Sequence, residues 1–490
     1  MTIESQHPEY SLHVNEWLKV TDCVAGQRAI KEKSTVYLPL MEGASKSDIR
    51  YQNYLDRAVF VNYTGRTKDG LLGAIFRKPA EVELPDGLDY LVKNADGAGE
   101  SLESLTKDVA TEVLSKGRHL LLVDFPEVTK SLTLEEEQLL APQASINRYS
   151  CEQAINWRVA IINGRKVLDL VVLVETYDAN DDEFEYEEKE QHRVLRLREG
   201  VYSQQVYREG MPYSEEVSPR KSNGQTFSEI PCIFVGSENN DASVDYAPLA
   251  DIAHVNLAHY RNSADLEENC FVHGQMTLGI STAMSHTQFT EANPNGITVG
   301  AMSGHFLGEG GSFSSVQAAE NQLADKLMER KEEQMRKLGA RMVEGTGAKT
   351  ATQSRIDATG ESSILSTIAG NVSAGILTCM NWCGEFMGVQ AEIDYVLNTK
   401  FFDDDVNPQM LMAAIQLNDR GIIAKSDMQD LARAQSIIKP DRTNEDIDGE
   451  VEIEEPVTEF QEPAEIEEPV ETEEVEEINK EINKPLTPCA

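Results

Sequence analysis

The chain has 490 residues, a formal net charge of −40 and 40% hydrophobic residues, so it is long enough to bury large cores in about two to four domains. The acidic excess argues against a protein that grips nucleic acid tightly, because phosphate affinity comes from Lys and Arg contacts, although it permits a protein that lets DNA pass. Seven scattered Cys without a disulfide spacing indicate reduced thiols. The first residues show no basic or apolar leader, and secretion is not expected.

Helical signals dominate the first third of the chain. Apolar residues recur at helical spacing, and residues suited to helix ends flank the segments. The sequence predicts helices over His7–Lys31, Ser47–Tyr63 and Ser101–Lys116, with Ser47 as an N-cap and Gly117 as the terminating residue.

Two further segments of the first third are not predicted to be helical. Gly70–Pro79 contains two Gly and ends in Pro, which predicts a short segment that turns sharply before a linker. His119–Phe125 is a continuous apolar run and predicts a buried strand.

From Ala154 the pattern alternates with a period of two residues. Asn163-Gly164 lies between two alternating runs and is typical of a tight hairpin turn. The sequence predicts an antiparallel meander with one polar face. Its strands are expected at Ile155–Ile162, Lys166–Glu175, Arg193–Leu197, Val201–Tyr207 and Ile230–Val235.

The next part of the chain alternates long helices with irregular segments. A helix is predicted from Pro248 to about Glu268, followed by short strands and Gly-rich turns over Cys270–Ser312. A long charged helix is predicted to start near the capping pair Ser314-Ser315 and to run to Leu338-Gly339. At about 1.5 Å per residue it spans roughly 40 Å, which exceeds what one compact domain needs.

The segment Ile364–Cys383 carries no charged residue and is rich in small residues. A membrane span is rejected because polar side chains interrupt the apolar run. A helix that is apolar on every side is instead expected to lie between several protein neighbours, including other subunits. The interrupting residues are Ser366, Thr367, Asn371, Ser373, Thr378 and Asn381.

No catalytic motif or cofactor-binding motif is found, and the chain is not expected to be an enzyme. Cys379 and Cys383 lie one helical turn apart but lack nearby His or Cys, which favours buried thiols over a metal site. His273, His286 and His305 fall in one segment, and a metal site formed by them in space stays open.

Two segments resemble ion-binding or phosphate-binding loops without matching them. The acidic run from Asp178 has Glu183 and Lys189 where a calcium loop needs Gly and a carboxylate. The loop Gly345–Thr350 has Ala348 between Gly347 and Lys349, which breaks the phosphate-loop spacing. A solvated acidic hairpin tip and a flexible polar loop are the better interpretations.

The C-terminal part divides into two modest helices and an acidic tail. Helices are predicted over Gln409–Arg420 and from a Ser426 cap to about Lys439. Residues 441–490 contain 19 acidic and 3 basic residues. This composition buries too little apolar surface to offset ordering, so the tail is predicted to be disordered.

The order of these elements, together with several phrases of sequence, resembles the portal proteins of tailed bacteriophages of the podovirus type. The phrases are Arg57-Ala58-Val59-Phe60-Val61-Asn62, Gly73-Ala74-Ile75-Phe76-Arg77-Lys78, Pro248-Leu249-Ala250-Asp251-Ile252-Ala253, His259-Tyr260-Arg261 and Glu333-Gln334-Met335-Arg336-Lys337-Leu338-Gly339-Ala340.

The resemblance implies an α+β portal fold with an α/β wing, a helical stem, a small β-containing clip, a long wing helix and a helical crown. Transferred onto this chain, it assigns the wing to 1–247, the first stem helix to 248–269, the clip to 270–312, the second stem helix to 313–343, the tunnel loop to 344–353, the long wing helix and link to 354–405, the crown to 406–440 and the disordered acidic tail to 441–490.

The resemblance also implies a role and partners. Portal proteins form a ring, usually a dodecamer, at one vertex of the virion capsid. The ring is the channel for packaging and ejecting double-stranded DNA, and is made in the host cytoplasm. The expected partners are the large terminase subunit, a head-completion or tail adaptor protein, and the major capsid and scaffolding proteins. The tunnel-loop residues expected to contact DNA are Gly345, Thr346, Gly347, Lys349 and Thr350.

Two alternatives from other classes stay open at this stage. One is a cytosolic metal-dependent hydrolase whose site is assembled from dispersed residues, and the other is a head–tail adaptor ring that is not a portal. The hydrolase predicts a monomer or small oligomer with bound metal, whereas both ring proteins predict a large assembly.

Overall fold

The structure is a computed structural model with an α+β fold. It describes residues 2–40, 43, 45–125, 143–162, 164–180, 182, 184–274, 277–294, 296–297, 304–316, 323–342, 363–389, 391–399, 401, 424–427, 429 and 442–444. The chain divides into two units, Met1–Phe401 and Phe402–Ala490.

The N-terminal helical prediction is confirmed with one interruption. Helix α1 spans Pro8–Ala25 and α2 spans Gln27–Glu32. Gly26 separates them with a φ of 92°, a backbone conformation that favours glycine. A Cβ at this position would lie 3.1 Å from the side-chain nitrogen of Asn62, so the break between the helices requires glycine.

Two predictions in the next segment are wrong. Helix α3 spans Ile49–Arg57 and is capped by Asp48 rather than Ser47, and it ends before the predicted limit. The two Gly of the predicted sharp turn lie inside helix α4, Tyr63–Ile75. This helix forms despite its glycines because Asn62 caps it and because Leu71, Leu72 and Ile75 are buried against the core.

Helix α5 and the strand after it are confirmed as predicted. Helix α5 spans Leu102–Lys116, with Ser101 as the N-cap and Gly117 in the left-handed conformation at its end. Strand β2, Arg118–Asp124, follows directly, and most of its side chains are buried. A strand that is apolar on both faces is expected in the centre of a sheet.

Strand β2 is the central strand of a three-stranded antiparallel sheet in the order β3-β2-β9. Strand β3 spans Ser145–Ser150, and β9 spans Cys232–Gly236. The prediction that residues 230–235 extend the meander is therefore wrong. Strand β2 pairs at both of its edges, with β3 at one and with β9 at the other, so its backbone N–H and C=O groups are bonded on each side.

The rest of the meander is confirmed as a five-stranded antiparallel sheet. Its strands are β4 Ala154–Ile162, β5 Arg165–Asp178, β6 Glu188–Arg198, β7 Val201–Arg208 and β8 Met211–Pro212. They lie in the order β4-β5-β6-β7-β8. The hairpin predicted around Asn163-Gly164 joins β4 to β5, and the turn at Glu199-Gly200 joins β6 to β7.

The long helix that follows differs from the sequence prediction at both ends. Helix α6 spans Ala250–Gly274, so it starts two residues after Pro248 and continues beyond Glu268. A small module comes next, with strand β10 at Thr277–Ser281, helix α7 at His286–Ala292 and strand β11 at Ser312–Val316. Strands β10 and β11 pair antiparallel.

Ser314 and Ser315, predicted to cap the next helix, instead lie in strand β11. Helix α8 spans Leu323–Arg341. Ser314 and Ser315 are misleading as a cap signal because Ser is common both at helix N-caps and in turns. Their place in a strand depends on pairing with β10, whose residues lie about 35 positions earlier in the chain.

Helix α9 spans Ile364–Met387, with Ser363 as the N-cap and Gly388 at its end. It is the one helix in the described part of the chain that is long and apolar enough to cross a membrane. Thirteen of its 24 residues are buried within the protein. Its polar side chains bond inside the protein, since Asn371 Nδ2 donates to the Gly236 carbonyl and Ser373 Oγ accepts from Leu397 N–H.

Strand β12, Asp394–Val396, pairs with β1, Glu81–Glu83, and so ties the chain after α9 back to the N-terminal region. Short 3-10 helices occur at Ser34–Val36 and Asp89–Val92. In the second unit, described residues 425–427 are helical, so Ser426 lies within a helical turn rather than before it.

Candidate functional site

The candidate site lies around helices α6, α8 and α9, because the expected DNA-contacting loop connects the last two. The predicted loop residues Gly345, Thr346, Gly347, Lys349 and Thr350 lie outside the described residues. The described flanks are close together, since Met342 O accepts a hydrogen bond of 3.1 Å from Leu365 N–H. The end of α8 and the start of α9 therefore lie next to each other.

Helices α6 and α8 pack against each other through a polar contact. His259 Nε2 lies 3.3 Å from a Glu332 carboxylate oxygen, and Lys331 Nζ donates to the Ala258 carbonyl at 3.0 Å. Met335 on the same side of α8 is buried. The two long helices are thus joined along one face, and the small module connects their other ends.

His259 is the most constrained titratable group at this contact. Its side chain is 1% exposed, it packs edge-on against the Tyr63 ring at 5.7 Å, and its Nδ1 has no hydrogen-bond partner among the described residues. Burial lowers the pKa of His259, while Glu332 opposes that shift. A neutral imidazole with a structural role is the chemistry that this environment supports.

Helix α6 is anchored to the N-terminal helices through buried polar contacts. Asn256 is fully buried and accepts hydrogen bonds from Thr64 N–H and Thr64 Oγ1 at 3.1 and 3.0 Å. Its Nδ2 donates to the Val61 carbonyl at 2.9 Å. Further along α6, Asp265 accepts from Tyr54 OH at 2.7 Å. These contacts fix the direction in which α6 leaves the wing-like part of the chain.

Two of the phrases that carry the portal resemblance, Arg57–Asn62 and His259–Arg261, lie at this anchor. Arg57 forms an ion pair with Glu268, and the Phe60 ring packs edge-on against Tyr260 at 5.9 Å. Arg261 Nε donates to the Tyr37 carbonyl at 2.9 Å. The residues of these phrases therefore pack α6 against the N-terminal helical region, a structural role that the sequence did not reveal.

The module between α6 and α8 has a shallow groove of about 480 Å³ beside helix α7. Helix α7 is held by a capping box between Ser285 and Gln288. Phe306 on the groove wall is 64% exposed, and Phe313 on β11 is 44% exposed. The groove is lined by Met284, Gln288, Glu291, Ala292, Phe306 and Gly308.

The structure gives no support for a metal site in the part of the chain that it describes. Among the described residues, no group of three or more His, Cys, Asp or Glu is placed to hold a metal ion. Cys379 and Cys383 are fully buried in α9, and burial raises the pKa of both thiols. The side chain of His273 lies outside the described residues, so the three-histidine site is untested.

A second, larger cavity lies between the two antiparallel sheets and contains a compact ionic network. Arg193 bonds to Glu175 at 2.7 Å and to Asp124 at 2.9 Å. Tyr149 OH donates to Glu175 at 2.6 Å. Because Arg193 is paired to a carboxylate from each sheet, the network links β2 to β5 and β6 and has a structural explanation.

Comparison with known proteins gave limited matches. A family model described as a domain of unknown function (DUF4055) matches residues 248–387, which contain α6 through α9. A search of curated proteins found no match.

Two solved structures are similar in part. One is the neck of an empty GTA particle computed with C6 symmetry, at 11% identity and a TM-score of 0.38, covering 83% of this chain and 98% of that one. The other is the neck of a native GTA particle computed with C12 symmetry, at 12% identity and a TM-score of 0.38, covering 82% and 98%. A likeness at this level does not establish the function of this chain.

Proposed function

We propose that this chain is a portal-type subunit that assembles into a ring at one vertex of a phage capsid. The ring would form the channel through which double-stranded DNA is packaged and ejected. The observation that carries the proposal is the stem-like pair α6 and α8. These two long helices are packed side by side, anchored at one end to the N-terminal helices and joined at the other by a small β-containing module.

The arrangement of α9 supports the same proposal. One face of α9 is buried in the chain, while Gly370, Ala374 and Asn381 are exposed along the opposite face. Small exposed residues allow close approach of another backbone. In the proposed ring, usually a dodecamer in portal proteins, this face packs against a neighbouring subunit.

The partners follow from the resemblance and are part of the proposal. The module between α6 and α8 would contact the large terminase subunit during packaging and an adaptor protein afterwards. The wing-like N-terminal part would contact the major capsid and scaffolding proteins. In this proposal the chain catalyses no reaction, because the terminase supplies the energy for moving the DNA. The ring is located at the portal vertex of the virion.

The mass of the purified full-length protein in solution tests this proposal. We expect an assembly of about twelve times the chain mass of 54.4 kDa, measured by mass photometry or native mass spectrometry. A compact monomer would contradict the portal proposal. A ring would still leave the adaptor alternative, which binding of the large terminase subunit to the purified ring would exclude.

A further inference from the structure

The outward face of helix α8 differs in charge from the rest of this acidic protein. The packed face of α8 includes Met335, which is 1% exposed, and the partly buried Lys331 and Glu332. The helix sequence contains six basic and four acidic residues, although the whole chain has 44 basic and 84 acidic residues. Positive charge is therefore concentrated on this element.

The basic residues of α8 also share one side of the helix. Lys326, Arg330, Lys337 and Arg341 are spaced four, seven and four residues apart, which places them within an arc of about 60° at 3.6 residues per turn. All four are exposed. By the same geometry Met335 lies roughly opposite them, so this set, the basic stripe, points away from the packed face.

The acidic residues of α8 leave most of the basic stripe unneutralised. Glu333 pairs with Lys337 at 3.4 Å and with Arg336 at 3.1 Å. Glu332 points to the packed face and contacts His259. Within the described residues, no carboxylate lies in ion-pair distance of Lys326, Arg330 or Arg341. In the described part of this acidic protein, three exposed cations of one helix thus carry no ion pair.

We propose that the basic stripe contacts the phosphate backbone of double-stranded DNA in the channel. This inference rests on the proposed portal function, because only a ring turns the same face of every α8 toward a common axis. The proposal adds the exposed face of α8 to the loop Gly345–Thr350 as a surface that contacts DNA.

The geometry of the stripe fits a passing duplex rather than a fixed complex. The distance from Lys326 to Arg341 along the helix is about 22 Å at 1.5 Å per residue, which corresponds to roughly six base-pair steps. Lys and Arg contacts to phosphates position a duplex without reading its sequence. Four cations per subunit on an otherwise acidic protein give weak, salt-sensitive contacts that permit sliding.

Binding of the full-length protein to a short fluorescent blunt-ended duplex tests the proposal. The test variant is K326Q/R330Q/K337Q/R341Q. The matched control is R50Q/K93Q/K107Q/R165Q, which removes the same charge from exposed positions on other elements. The apparent affinity is measured over a series of salt concentrations, and the oligomer mass of each variant is measured in parallel.

We expect the stripe variant to bind about tenfold more weakly at low salt, with the control close to the wild type. The slope of log affinity against log salt should fall by about 0.9 for each phosphate that the variant no longer neutralises. Equal weakening in both variants, or no change in either, would overturn the proposal.

A stripe variant that fails to assemble would also overturn the proposal, because the stripe would then bind carboxylates of a second copy. If the wild type is a monomer whose duplex binding still depends on the stripe, the portal function fails while the stripe remains a phosphate-binding surface. The two failures are thus distinguishable.

Discussion

At the scale of single residues, the buried Arg118 of the first unit has a structural explanation. The Arg118 guanidinium is 3.6 Å from the Phe234 ring centroid and 4.2 Å from that of Trp157. It donates to the carbonyls of Ala242 and Ser243 at 3.0 and 2.8 Å, and burial lowers its pKa to about 10. Stacking and hydrogen bonds compensate its burial, so Arg118 joins β2 to its neighbours.

The neighbouring His119 leads to a prediction about acid stability. His119 is 3% exposed, and neither ring nitrogen has a hydrogen-bond partner among the described residues. Burial lowers its pKa from 6.5 to about 3. Below about pH 6.5 the unfolded state therefore binds a proton that the folded state does not, and the free energy of unfolding falls as the pH decreases toward 3.

The variant His119→Leu should lose this part of the pH dependence. Between pH about 7.5 and about 5.5, His119 should contribute a loss of about 1.4 kcal/mol in the wild type, measured by urea unfolding. Leu121→Val, also buried in β2, is the control and should lower stability by a similar amount at both pH values. An unchanged pH dependence in His119→Leu would show that the imidazole is not held neutral.

The sequence predicted a buried strand that begins at His119, but not the burial of Arg118 before it. Apolar periodicity identifies strands through the majority of their residues. The aromatic rings that stack on Arg118 come from β4 and β9, so their proximity depends on tertiary packing that no local pattern contains.

At the scale of elements, the loop after α8 carries the next prediction. Its described flanks are held together by the hydrogen bond between Met342 and Leu365. If the loop contacts DNA, the combined change Gly345→Ala, Gly347→Ala and Lys349→Ala should reduce nuclease-protected DNA in assembled particles, because it removes backbone freedom and a phosphate contact.

A matched control for the loop variant is available in and just after α4. Gly70→Ala, Gly73→Ala and Lys78→Ala make the same types of change at exposed positions, and a Cβ at either glycine would meet open space. The control particles should retain DNA normally. Equal DNA retention by the loop variant, the control and the wild type would contradict a DNA-contacting role for the loop.

Helices with strong local signals were the best-predicted elements. Helix α5 was predicted over Ser101–Lys116 with Gly117 as its terminator, and the structure confirms the helix and the terminator, with Ser101 as the N-cap. The predicted start of α8 was wrong because Ser314 and Ser315 pair with β10 instead of capping a helix. The glycines of α4 were misleading because burial of its apolar face outweighs their low helix propensity.

At the scale of the whole molecule, element order was more predictable than the candidate site. The succession of helices, meander, long helix, small module and two further long helices follows from local periodicity and is present in the structure. The spacing of the basic residues on α8 is visible in the sequence. That they lie on the exposed side of the helix became clear only from the structure, which shows the face that packs against α6. The periodicity of one chain predicts its helices and strands, but it does not identify which of their exposed surfaces contact another subunit.

The most direct test of the central claim is cryo-electron microscopy of the purified full-length protein, with class averages viewed along the symmetry axis. We predict a closed ring with an open central channel wide enough for a DNA duplex, and α8 beside that channel. A compact monomer, or an assembly without an axial opening, would contradict the portal function.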